Sequence, residues 1–192
     1  MGFIFQSLGR TVTAGVVLLV IILAALGGLG NTNLHTAGVR WLHVASGVMW
    51  IGLLWYFNFV QIPSMPKIPD EQKPAIGKVI APAALFWFRW AALATVVTGL
   101  LIAIPGKYLV EALTFQAGFR TIGLGMWLAL IMAFNVWFII WPNQKKALGI
   151  VVVEADAKAK AARLAMLTSR FNTMFSIPML FCMIAQKYAV LG

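Results

Sequence analysis

"VTAGVVLLVIILAALGGL", residues 12–29, is eighteen residues without a charge and, after Thr13, without a polar side chain. As a helix rising 1.5 Å per residue, such a run comes close to the roughly 30 Å depth of a bilayer's apolar core. The whole chain agrees with that reading. Of its 192 residues 61% are hydrophobic and only 10% charged, and the mean hydropathy is +0.90. A soluble domain carries about a quarter charged residues. Arg10 before the run and small residues after it imitate a secretory signal, but the apolar stretch is long for one, so a retained helix is expected.

Four more runs have the length and apolarity of a spanning helix, at about 38–61, 80–104, 121–141 and 168–190. The fold class is therefore an all-α integral membrane protein: one bundle of about five transmembrane helices in a single domain, 1–192. Between the second and third runs, "IPSMPKIPDEQKP" (62–74) carries Pro63, Pro66, Pro69 and Pro74, a density that predicts an extended connector. Pro82 falls in the first turn of the third run, where a missing N–H is harmless. "GKYLVEALTFQAGFR" (106–120) has room for a short interfacial helix, and Pro142 is expected to stop the fourth helix. "EADAKAKAARLAML" (154–167) is alanine-rich, with acids first and bases later, as the helix dipole favours. It predicts a cytoplasmic surface helix, and Pro178 a kink in the fifth span.

The net charge of +10 does not make a nucleic-acid surface, because the basic residues gather in the connecting loops. Ten lie on one side: Arg10, Lys67, Lys73, Lys78, Lys145, Lys146, Lys158, Lys160, Arg163 and Arg170. Four lie on the other: Arg40, Lys107, Arg120 and Lys187. The positive-inside rule then puts the N-terminus in the cytoplasm and the C-terminus outside a bacterial plasma membrane, in the periplasm. The single cysteine, Cys182, can form no internal disulfide and reads as a small packing residue. Without a Cys-x-x-Cys-His motif, covalent haem attachment is excluded.

"RWLHVASGVMW" (40–50) places a histidine at membrane depth, where ionisable groups carry function by default. At helical spacing Arg40, His43 and Gly47 share a face, with Trp50 one turn further in. A b-type haem would use each of them: His43 as an axial nitrogen, Gly47 as bare backbone against the macrocycle edge, Arg40 for a propionate and Trp50 as a packing surface. The competing reading makes His43 a hydrogen-bonding residue between helices. His35, eight residues earlier, is too far along one helix to reach the opposite haem face. Met126 and Met183 are candidate second axial ligands, with core packing as their ordinary role; a five-coordinate haem and a ligand from a neighbouring subunit are the alternatives. Arg89 in "LFWFRWAAL" reads as a side chain snorkelling in an aromatic belt, or as a contact for an anion or a quinone head. Asn135 is expected to face Asn172, Thr173 and Ser176 across the bundle. All five acids lie between or beyond the runs, which argues against a carboxylate proton relay.

Three segments carry a family resemblance: "RWLHVASGVMWIGLLWYFNFVQ" (40–61), "GMWLALIMAFNVWFIIWPNQKKALG" (125–149) and "SRFNTMFSIPMLFCM" (169–183). With "LFWFRWAALATVVTGLL" (85–101) they resemble the membrane domain of the bacterial membrane-bound urate hydroxylase (urate oxidase N-terminal domain) family. The resemblance implies a helical membrane domain that passes electrons from purine oxidation to a cytochrome c. Leu42, His43, Trp50 and Gly52 also match a Leu-His…Trp-x-Gly pattern of small membrane haem proteins. The chain departs from the family in ending at Gly192 without a cytochrome c domain. It also has Ala185, Gln186 and Lys187 where the family places a histidine. The expectation is a short-form electron-transfer subunit, part of an oxidoreductase, binding haem b through His43 and working with a separate c-type cytochrome. The alternative is a haem-free structural or accessory subunit of a homo-oligomer or larger membrane complex. A channel or transporter lacks the broken-helix pair it would need.

Overall fold

Helices in this protein run through their prolines. The computed structural model describes residues 2–188, and among these the regular elements are all helical. We number the longer ones α1 (Leu8–Ala25), α2 (Leu34–Trp55), α3 (Ala81–Ala103), α4 (Leu109–Leu113), α5 (Arg120–Phe134), α6 (Trp141–Ala147) and α7 (Ala155–Ala185). Four uninterrupted helical stretches are long and apolar enough to cross a membrane: Leu8–Ala25, Leu34–Lys67, Lys73–Ala103 and Arg120–Ala147.

Three π-helical turns explain the continuity. They cover Tyr56–Gln61, Ile76–Ile80 and Asn135–Ile140, and each ends two residues before a proline: Pro63, Pro82 and Pro142. The residue just ahead of each proline donates its N–H five residues back: Ile62 to Phe57, Ala81 to Ile76 and Trp141 to Val136. A proline ring ordinarily strikes the carbonyl four residues back and breaks the helix. The wider π turn shifts the pairing by one residue and absorbs that conflict. The connector at 62–74 is accordingly not extended. Helical turns continue through Lys67, Ile68 is extended, and a turn leads into Lys73–Ala75. Pro142 likewise does not stop the fourth helix, which runs on to Ala147.

The surface helix expected at 154–167 and the span expected at 168–190 form one 31-residue helix, α7, with Pro178 inside it. Nothing between Leu167 and Thr168 breaks a helix, and the alanine-rich first half propagates into the apolar second half. Residues 189 and 190 lie outside the described residues. Asp156 sits in the first turn, as the dipole favours. The short interfacial helix is α4.

By its internal contacts the chain divides after Val39. In the first unit, no residue of α1 is buried. Arg10 stacks 3.8 Å from the Phe3 ring and donates to the Phe3 carbonyl at 3.1 Å, tying the first helical turn to α1. The second unit holds the core. Trp50, Leu54 and Phe57 from α2 and its π turn pack with Leu85, Phe88 and Ala92 of α3. Met132, Val136 and Ile140 join them, with Met179 from α7. Small side chains let helix backbones approach closely, so packing and polar contacts join them. The buried face of α7 fits that pattern: Ala161, Ala165, Ser169, Asn172, Ser176, Met179, Cys182 and Ala185 recur every three or four residues.

Candidate functional site

His43 docks on α3. Its Nδ1 lies 3.0 Å from the Thr95 carbonyl oxygen and 3.1 Å from Thr98 Oγ1. Thr98 donates its own hydroxyl hydrogen to the Ala94 carbonyl at 2.6 Å, so both neighbours of Nδ1 are acceptors. Nδ1 therefore carries the proton and Nε2 the lone pair, an assignment made from the hydrogen-bond partners. The ring seats in a notch at Gly99, where a Cβ would come within 3.2 Å of His43 Cε1. One turn inward, a Cβ on Gly47 would lie 4.0 Å from the Thr95 methyl.

The other residues of the expected site go elsewhere. Trp50 is fully buried in the core, and its Nε1 has no hydrogen-bond partner. Arg40 is exposed, and its charge is felt by Tyr108. Burial pushes the Tyr108 phenol up, and the guanidinium partly opposes that rise. Met126 is half-buried on α5, and Met183 lies on α7 with its methyl near Gly125. No described contact brings either methionine to His43, and His35 is exposed. Among the described contacts, His43 and Gly47 meet α3, Trp50 enters the core, and Met183 meets Gly125 on α5.

This geometry bears on haem directly. The face that Gly47 was expected to keep open for a macrocycle is turned toward α3, with the Thr95 methyl 4.0 Å from where a Gly47 Cβ would lie. These contacts put helix packing beside His43 and Gly47. What they leave is a histidine whose Nδ1–H is held by a backbone carbonyl, with Nε2 making no described contact. Among the described residues, no three His, Cys, Asp or Glu side chains group to hold a metal ion.

A polar ladder ties α7 to two other helical stretches, Leu34–Lys67 and Arg120–Ala147. Asn135 Nδ2 donates to Asn172 Oδ1 at 2.8 Å, and Asn172 Nδ2 donates to the Met132 carbonyl at 2.9 Å. The expected Asn135–Asn172 pairing is present. Ser176 instead accepts from Trp55 Nε1 at 2.9 Å, and Thr173 donates to the Ser169 carbonyl within α7. Asn58 Nδ2 donates to Ser169 Oγ at 2.8 Å. Sequence reading overlooked Trp55, Asn58 and the Thr95–Thr98–Gly99 group. The last was visible as "TVVTG" (95–99), where small and polar residues share a helix face. At the other end of the bundle, Gln186 accepts from the Ile122 N–H at 2.8 Å and donates to the Gly118 carbonyl at 2.7 Å. It thereby satisfies one of the orphan donors in the first turn of α5.

The "NVWFIIWPNQKK" stretch thus builds a π turn, supplies Asn135 to the ladder and carries the helix past Pro142. It falls within residues 107–191, which match the family model described as urate oxidase N-terminal. Neither a curated protein nor a solved structure matches the chain. The matched stretch includes Asn135, Asn172 and Gln186, along with Met126 and Met183. His43, Gly47, Thr95 and Gly99 lie before it.

Proposed function

We propose that the chain is a membrane-embedded scaffold subunit of urate oxidase N-terminal type, without haem of its own. It packs through its Gly- and Trp-rich helices into a homo-oligomer or larger membrane complex. The observation that carries this reading is the seating of His43 on Thr95 and Gly99, which spends on helix packing the face a cofactor would need. The apolar half of α7 serves as a fifth span beside the four longer apolar stretches. The excess of Lys and Arg on one side supports a cytoplasmic N-terminus and a periplasmic C-terminus in a bacterial plasma membrane. The test is an absorption spectrum of the detergent-solubilised protein, oxidised and then dithionite-reduced, with light scattering for mass. The expected result is a featureless visible spectrum and a particle of several 21.0 kDa chains. A monomer showing a Soret band that disappears in His43→Ala would sink the reading.

One observation favours a second function, electron transfer through haem b. Histidines that ligate a metal usually donate their other ring nitrogen to a carbonyl or carboxylate, and His43 Nδ1 does so to Thr95. In that case a neighbouring subunit supplies the second ligand and the remaining walls, and a separate c-type cytochrome accepts the electron. The same spectrum decides, because this reading requires the Soret band and its sensitivity to His43→Ala.

A further inference from the structure

Arg89 is the one charged residue in the interior of the apolar runs. Its guanidinium carbon lies 3.6 Å from the Trp141 ring and 5.8 Å from that of Phe86. Nη1 is shut off from solvent and has no hydrogen-bond partner. None of the five acids falls inside a spanning stretch, and the ion pair among the described residues is Asp70–Lys73. Arg89 is therefore a cation whose buried N–H group has neither water nor a carboxylate to receive it. Such a group is costly to keep in apolar surroundings unless something neutralises it.

The surroundings describe what that something is. Lys145, one turn on from Trp141, places its ammonium 5.7 Å from the same ring. Trp137, one turn back, leaves its own buried Nε1 without a partner. Arg89, Lys145 and Trp137 are all donors, so a ligand held by them is an acceptor, and the uncompensated charge of Arg89 makes it an anion. Beneath the guanidinium, the buried Leu85, Phe88, Val136 and Ile140 close off the core, while Phe86 beside it is exposed. Cation, indole and exposed apolar surface together suit a phosphate attached to an acyl chain. Basic pockets between spanning helices bind anionic headgroups on this basis, and guanidinium meets phosphate in a charge-assisted geometry.

We propose that Arg89, with Trp141 and Lys145, binds the phosphate of an anionic phospholipid, whose acyl chain lies over the exposed Phe86 ring. The site sits at the end of the bundle where α6 presents Lys145 and Lys146. It rests on the membrane reading above, and recovery of the protein in alkali-washed membranes tests that reading separately.

Native mass spectrometry of the delipidated, detergent-solubilised protein tests the site. The probes are phosphatidylglycerol, diacylglycerol and inorganic phosphate. Retained phosphatidylglycerol is expected, with little diacylglycerol. Arg89→Gln should weaken retention about tenfold, and Lys145→Gln, a half-buried position that leaves the core intact, by about fivefold. Arg89→Lys, which keeps the charge and loses the planar stack, should fall between wild type and Arg89→Gln. Equal phosphatidylglycerol retention by wild type, Arg89→Gln and Lys145→Gln overturns the proposal. So does diacylglycerol binding as strongly as phosphatidylglycerol. Inorganic phosphate binding that phosphatidylglycerol fails to displace overturns the lipid as its source.

Discussion

The imidazole of His43 lies against bare backbone at Gly99, and its Nδ1 bonds to the carbonyl of Thr95 one turn earlier on α3. The two contacts hold each other in place. The hydrogen bond keeps the ring from retreating, and the missing side chain at Gly99 lets it approach. An ionisable side chain in an apolar run is thereby turned into a clasp between α2 and α3.

Gly99→Ala puts a Cβ within 3.2 Å of His43 Cε1, a contact the tethered ring cannot relieve without lengthening its hydrogen bonds. Overpacking of this kind costs about 1 kcal/mol for alanine and up to roughly 3 kcal/mol for valine. Thermal unfolding in detergent should show that order. In a His43→Ala background the penalty should largely vanish, and an unchanged penalty would refute the clasp.

Asn135 and Asn172 depend on one another, because Asn172 both accepts from Asn135 and donates to the Met132 carbonyl. Asn172→Leu strands both partners in the core. Interhelical hydrogen bonds in membranes contribute roughly 0.5–2 kcal/mol each, so the single change should cost about that per partner lost. A double-mutant cycle with Asn135→Leu should recover part of the loss. Strict additivity would mean that the two amides do not interact.

Gly123 marks the closest approach of α5 to α4, where a Cβ would overlap the Ala112 carbonyl oxygen. That obstacle is backbone and cannot rotate away. Gly123→Ala should displace α4 at a cost of about 1–3 kcal/mol. Trypsin cleavage at Lys107 and Arg120, which flank α4, should rise relative to wild type.

Tyr108 gives a pH dependence with a defined sign. Burial holds its phenol above the ordinary range, and Arg40 pulls it partly back. The folded state therefore keeps this proton more tightly than the unfolded chain does. The contribution is intact below the unperturbed value of about 10 and is lost as pH climbs through the higher folded value. Arg40→Gln removes the opposing charge and should move phenolate formation to still higher pH. Phenolate absorbance, with Tyr108→Phe as the subtraction reference, reads the shift, and a downward movement in Arg40→Gln would contradict the assignment.

Run length and composition were enough to read an all-helical chain with helices long and apolar enough to cross a membrane. Apolar transfer adds up residue by residue along a helix and needs no knowledge of neighbours. The Asn135–Asn172 pairing was legible for a related reason: a polar amide in an apolar run must find a partner, and few were on offer. The prolines misled because their local rule takes an α-helical register for granted. Their neighbours avoid the clash cooperatively, through π turns that no single residue announces. The face of His43 could be drawn from spacing alone, but its partner could not. Whether Gly47 leaves a slot open or admits Thr95 depends on how closely α2 approaches α3, and that is set by packing between residues 52 apart in sequence. The sequence by itself determined what each helix is made of and the medium it can lie in. Tertiary structure decided which atoms meet, because contact distances between helices follow from the shapes of both surfaces together.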